Sequence, residues 1–232
     1  MAELGGDDAR HLTRVLRAEA GQRYEISDNQ AVYLAEIAEA RGGRVVFRIL
    51  EALESPRPPV RITLCAALIK FDRFEWMIEK ATELGVERIV PLEAARSEKG
   101  LLEAARKRME RWLRIARESS QQSRRVCLPE ILPAVRFERS LAEAADYRYF
   151  LEEGQAPPLL RLLPAGRAGT DRVSLLAGPE GGWTDAERQA AQAAGWQAVS
   201  LAPQVLRAET ACAAAIAVVT NAWMASAHTT ME

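Results

Sequence analysis

Histidine and cysteine are nearly absent: His11 and His228, with Cys65, Cys127 and Cys212, are the only ones among 232 residues. They are too few and too far apart for a zinc site, so no metal is expected and the thiols read as reduced and mostly buried. Long apolar runs are missing as well. The longest, Ala211 to Val219, is too short to span a bilayer, and residues 1–12 lack the basic stretch and apolar core of a signal peptide. A cytoplasmic protein with no membrane partner is the expectation. Nor is there an excess of charge: 31 basic against 32 acidic residues leave a formal net charge of −1, so no global field draws the chain to nucleic acid.

Several chemistry-bearing loops are absent too. No Gly-x-Gly-x-x-Gly follows a first strand, no Gly-Lys-Ser/Thr loop is present, and no Gly-x-Ser-x-Gly elbow occurs. Ordinary dinucleotide, nucleoside-triphosphatase and serine-hydrolase readings lose ground accordingly.

What is present is concentrated near the C-terminus. Residues 173–177 form an apolar run that ends in Gly178-Pro179-Glu180-Gly181-Gly182-Trp183, a strand running into a turn whose backbone can take positive φ and approach another group closely. Thr184-Asp185-Ala186-Glu187 then fits a capping box, so strand, glycine loop and helix start follow in order. A second segment, Val205 to Ala211, reads VLRAETA.

Charge is uneven along the chain. Between Arg96 and Arg125 stand ten basic residues against four acidic ones. Such a run is either a phosphate-binding face or a solvated helix face laced with ion pairs, and composition leaves both open.

The pattern divides the chain in two. Residues 1–55 show a short helical start and then alternating segments at 23–26, 31–37 and 44–50, separated by Gly21, Asp28-Asn29 and Gly42-Gly43, which predicts a small β-rich domain. Glu54 to Pro59, with three prolines, reads as a stiff linker. Residues 60–232 alternate strands with helices: strands at 60–68, 88–92, 147–151, 173–177 and 197–201, helices at 74–84, 101–122, near 158–163, 185–194 and 210–227. This predicts an α/β domain with a mainly parallel sheet, whose ligands sit beyond the carboxyl ends of strands. The last helix is apolar around most of its circumference and must be buried in the core or at a subunit interface.

The two late segments together resemble the motifs of the RsmE family of SPOUT methyltransferases, which make N3-methyluridine in 16S ribosomal RNA. Glu75-Trp76-Met77-Ile78-Glu79-Lys80 with Glu83-Leu84-Gly85-Val86 is similar to that family's E-x-M-I-x-K-x-x-E-L-G-V signature, and Glu118, Gln122, Ser123, Arg125 and Pro129 match its next block. His11-Leu12-Thr13-Arg14-Val15-Leu16-Arg17 with Gly21 resembles the opening of its N-terminal RNA-binding barrel. The likeness runs over most of the chain and is weakest between Phe137 and Ala168.

The resemblance implies a PUA-like β-barrel followed by a SPOUT domain with a trefoil knot, a homodimer, and S-adenosylmethionine as cofactor. It places the cofactor against Ala177, Gly178, Pro179, Glu180, Gly181 and Gly182, and against Leu201, Ala202, Val205 and Leu206. Arg207 is the group to stabilise a developing uracil anion, and Glu209 or Glu180 the one to accept its proton. Arg14, Arg17, Lys80, Arg96, Arg124 and Arg125 are candidates for contacts to 16S rRNA or the small ribosomal subunit. Ala202, Gln204 and Asn29 depart from the family pattern, which has glycine, arginine and glycine there. Two rivals remain: another RNA target atom such as a ribose 2′-hydroxyl, and a non-catalytic RNA-binding or assembly protein.

Overall fold

The computed structural model describes residues 1–41, 43–55 and 58–227. Gly42, Pro56, Arg57 and His228, which enter the turn, linker and metal arguments above, lie outside the described residues. The chain separates into two compact units, Met1–Arg57 and Pro58–Glu232.

The first unit is an antiparallel sheet with a short helix. Its elements are β1 (Ala2–Leu4), α1 (Gly6–Arg10) continuing into a π-helical turn at His11–Val15, β2 (Arg23–Ser27), β3 (Val32–Arg41) and β4 (Arg44–Leu53). The strand order is β1-β4-β3-β2. Register shifts at Leu34/Ala35 and Ile37/Glu39 bend β3 against β4 and curl the sheet. Ala9, Ala18, Ala35, Ile37, Val45 and Phe47 close its core. Asn29 takes φ 71° in the β2–β3 turn, the left-handed region that asparagine tolerates. Asp28 Oδ1 holds that turn by accepting from the backbone N–H groups of Gln30 and Ala31, both at 2.9 Å. β1 was not legible from pattern, since three residues are too few to show alternation.

The second unit is an α/β layer structure. In chain order it contains β5 (Arg61–Ala67), α2 (Phe71–Glu83), β6 (Arg88–Glu93), α3 (Leu101–Arg106), α4 (Met109–Gln122), β7 (Glu130–Ile131), β8 (Val135–Arg136), α5 (Phe137–Ser140), β9 (Tyr147–Leu151), α6 (Leu159–Leu162), β10 (Arg172–Ala177), α7 (Asp185–Ala193), β11 (Gln197–Val199) and α8 (Ala208–Ala227). The sheet order is β11-β9-β10-β5-β6-β7, with β8 also beside β6, and every pairing is parallel. Helices cover both faces, so the strands bury alternate residues in two cores. Ile62, Leu64 and Ala66 of β5 point into one, with Phe74, Trp112 and Ile216. Cys65 and Ala67 point into the other, with Trp183 and Trp196.

Three expectations are corrected. The helix expected at 101–122 breaks between α3 and α4 at Lys107 and Arg108, where Arg106, Lys107 and Arg108 put cations at a helix C-terminus that favours them. Helix α2 starts three residues earlier than its apolar pattern, at Phe71, which packs edge-on to Trp112. The last apolar run is part of a longer helix: 208–226 of α8 has the length and mean hydropathy, 1.2, of a bilayer-crossing segment. Its Cys212, Ala215, Ile216, Val219 and Trp223 nonetheless lie in the first of the two cores.

Candidate cofactor pocket

Strands β11, β9 and β10 are neighbours in the sheet, and the loops leaving their carboxyl ends converge. Together they line a pocket, in the position beyond the carboxyl ends of the strands where such sheets bind ligands. The β10 loop contributes Ala177, Gly178, Pro179 and Gly182, and the segment after β11 contributes Leu201, Ala202, Val205 and Leu206. These are eight of the ten residues that the resemblance assigns to the cofactor.

Hydrogen bonds fix the three loops to one another. Glu152 N–H donates to the Val199 carbonyl at 2.9 Å, and Ser200 N–H to Pro157 at 2.9 Å. Trp183 Nε1 donates to the Leu151 carbonyl at 2.9 Å, which swings the indole across the mouth of the glycine turn. That placement requires Gly178: a Cβ there would stand 2.9 Å from the Trp183 ring. Gly182 has φ +67°, and its N–H closes the turn on the Pro179 carbonyl at 2.9 Å. The expected capping box forms at Thr184, and Glu187 Oε1 also accepts from Ala95 N–H at 2.8 Å, tying α7 to the loop after β6.

Glu180 and Gly181 do not line the pocket. Glu180 pairs with Arg73 of α2, and the Gly181 carbonyl accepts from Arg96 Nη1 at 2.8 Å, so both are turned to the outer side of the loop. Residues that motif reading missed take part instead: Glu152, Glu153, Trp183, Gln204, Ala208 and Ala211 all line the space. For the two glutamates the available signal was their position just past a strand that ends at Leu151.

Arg207 is exposed immediately before α8, and Glu209 lies in its first turn, 8% exposed. Neither lines the pocket, although Ala208 and Ala211 do. Glu209 Oε2 is buried with no hydrogen-bond partner among the described residues, and no ion pair joins it to Arg207. Burial, reinforced by Glu209 nearby, pushes the Cys212 thiol up to about 12, leaving it inert.

The basic candidates divide. Arg14, Arg17 and Arg124 are exposed, without an ion pair or side-chain hydrogen bond among the described residues. Arg17 and Arg124 adopt φ of 50° and 54°. Lys80 lies between Glu79 and Glu83 at 2.7 and 2.9 Å, and those two hydrogen bonds raise its pKa. Arg125 turns inward: Nη1 donates to the Thr82 carbonyl at 3.0 Å and Nη2 to Val86, closing the C-terminal end of α2. Arg108 and Arg111 both reach Glu75, at 3.3 and 2.7 Å. The basic run is thus partly an ion-paired face and partly open.

Comparison with known proteins matches this architecture. Residues 56–220 fit the model of an RNA methyltransferase domain, and residues 4–50 that of an RNA methyltransferase PUA domain. An RNA methyltransferase joined to a PUA domain is the class so defined. The chain is 33% identical over 222 residues to ribosomal RNA small subunit methyltransferase E of Synechocystis sp., covering 89% of this chain and 68% of that one. Among solved structures, ribosomal RNA small subunit methyltransferase E from Neisseria gonorrhoeae, bound to S-adenosyl methionine, is 30% identical with a TM-score of 0.85, over 96% of this chain and 92% of that one. Lpg2936 from Legionella pneumophila, in complex with the bound cofactor SAM, is 31% identical with a TM-score of 0.84, over 95% and 91%. The chain belongs to the ribosomal RNA small subunit methyltransferase E family.

Proposed function

We propose that this protein is an S-adenosylmethionine-dependent methyltransferase that methylates N3 of a uridine in 16S rRNA of the small ribosomal subunit. The observation that carries the reading is the closure of the glycine turn on Trp183, beside the VLRAETA segment, around one pocket. Gly178 and Gly182 of the turn line the pocket, and Leu201, Val205 and Leu206 supply apolar walls, which suits the cofactor. Solved relatives at this level of identity hold S-adenosyl methionine. A cytoplasmic homodimer with a trefoil knot belongs to the same reading, and the exposed Leu160, Val205 and Met224 are apolar surface for a second copy to cover.

When bound, the cofactor supplies an activated methyl group. The protein's part is to place uracil N3 in line with it and to favour loss of the N3 proton. Arg207, exposed at the entrance to α8, holds its guanidinium against the uracil anion. Glu209 is the carboxylate to take the proton, and its Oε2, buried without a hydrogen-bond partner among the described residues, must first turn toward the pocket it does not line. Arg14, Arg17, Arg96 and Arg124 contact RNA phosphates; Lys80 joins them by releasing Glu79 or Glu83. Arg125 holds the C-terminal end of α2 in place.

The test is 16S rRNA, free and within small subunits, treated with protein and S-adenosylmethionine and mapped by primer extension and mass spectrometry. The expected result is one uridine carrying a methyl on N3, reduced at least a hundredfold in rate by Arg207→Ala, in the range of lost electrostatic stabilisation. A methyl on a ribose 2′-hydroxyl, or none, overturns it.

A further inference from the structure

The pocket is one-sided in charge. Among the described residues, Glu152 and Glu153 are the only charged side chains that line it, and no lysine or arginine does. The two carboxylates have different circumstances. Glu152 is 11% exposed and accepts from Arg188 Nε at 2.6 Å and Nη2 at 3.1 Å. Burial raises its carboxyl, and Arg188 with the backbone N–H groups of Glu153 and Gly154 more than offsets this, so it stays ionised and neutralised by its partner. Glu153 is exposed and has no cation within ion-pair distance among the described residues. Its Oε2 lies 3.7 Å from the point where a side chain on Gly182 would begin, which puts the free carboxylate over the glycine turn at the pocket's edge. Arg96 Nη1 stands 3.9 Å from the same point, donates to the Gly181 carbonyl and keeps its charge, but Arg96 does not line the pocket.

We infer that Glu153 makes the pocket selective for a cationic methyl donor over the neutral product left after transfer. The inference rests on the reading that S-adenosylmethionine occupies the pocket. That molecule carries a sulfonium and an ammonium against one carboxylate, a net charge of +1. On transfer the sulfur keeps the bonding pair and becomes a thioether, so S-adenosylhomocysteine is neutral overall, and the N3 proton leaves the uracil as the methyl arrives. A fixed negative charge at the mouth therefore attracts the ligand before the reaction and loses its hold afterwards. In water-like surroundings, two unit charges in contact change affinity by about fivefold. Glu152 cannot serve in this way, because Arg188 already answers its charge.

Titration calorimetry with three probes tests this: S-adenosylmethionine, S-adenosylhomocysteine, and sinefungin, which carries an ammonium in place of the methylsulfonium and has no methyl to give. The wild type is expected to bind the two cationic probes about three- to tenfold tighter than the neutral one at low salt, with the gap closing as salt rises. Glu153→Gln weakens only the cationic probes and removes the gap, and Glu153→Lys reverses the order. An equal loss for all three probes in Glu153→Gln, or an unchanged gap, overturns the inference while leaving the cofactor reading intact. Failure of all three to bind the folded wild type overturns the cofactor reading, and the selectivity with it.

Discussion

The indole of Trp183 rests against the α-carbon of Gly178, so close that a methyl group there would stand 2.9 Å from Cε2 and 3.1 Å from Nε1. Gly178→Ala must therefore displace the ring and stretch its bond to the Leu151 carbonyl. The expected destabilisation is about 1–3 kcal/mol, in the range of overpacked sites. Affinity for S-adenosylmethionine should fall at least tenfold, because the displaced ring intrudes on the pocket. Thermal melts and calorimetry measure the two effects separately; a variant with wild-type values for both refutes the geometry.

Arg125 is expected to behave as a structural residue. Replacing it with alanine leaves the Thr82 and Val86 carbonyls without their charged donor, at a cost of about 1.5–3 kcal/mol. Urea denaturation of Arg125→Ala checks this, and undiminished stability with weakened RNA binding would assign the side chain to phosphate contact instead.

Its neighbour should show the opposite. Arg124 follows α4 with φ 54°, where glycine is the favoured residue. Arg124→Gly removes the left-handed strain, partly offset by the greater freedom of glycine in the unfolded chain, for a net gain of about 0.5 kcal/mol. The same change is expected to weaken RNA binding and to reduce the slope of log affinity against log salt by about one. A stabilised variant with an unchanged salt slope would remove Arg124 from the RNA surface.

The Glu152–Arg188 pair ties the end of β9 to α7 and sets an acid limit. Arg188 and backbone donors hold the Glu152 carboxyl below its ordinary value despite burial, so the unfolded chain takes up this proton more readily than the folded one. Its stabilising contribution is complete above the unfolded value of about 4.3 and disappears as pH falls through the lower folded value. The melting-temperature gap between wild type and Glu152→Gln should be present at neutral pH and close in strong acid. A gap that persists there would show that the pair acts through packing and not through charge.

Much of the second unit could be read from the chain because its signals are local. The run 173–177, the turn at Gly178 to Gly182 and the Thr184–Glu187 box are contiguous, and each limits the next. The role of Glu152 and Glu153 was not readable, because it arises from β9 lying between β11 and β10, an order in the sheet that no short segment records. Arg124 and Arg125 make the same point at the scale of two residues. They are chemically identical, and only the left-handed turn at 124 sends one guanidinium to solvent and the other to the end of α2. The break at Lys107 and Arg108 likewise has no glycine or proline to announce it.

The pocket's walls leave the sheet at residues 151, 177 and 199, and the last of these strands inserts beside the first, not beside the one before it in the chain. No wall can exist until segments distant in sequence have found their register, so the binding site is completed late in folding. A ligand that recognises only the finished site holds the native state by mass action, by about 2.7 kcal/mol at a hundredfold excess over its Kd. That gain belongs to the unfolding rate, leaving the refolding rate as it is without ligand.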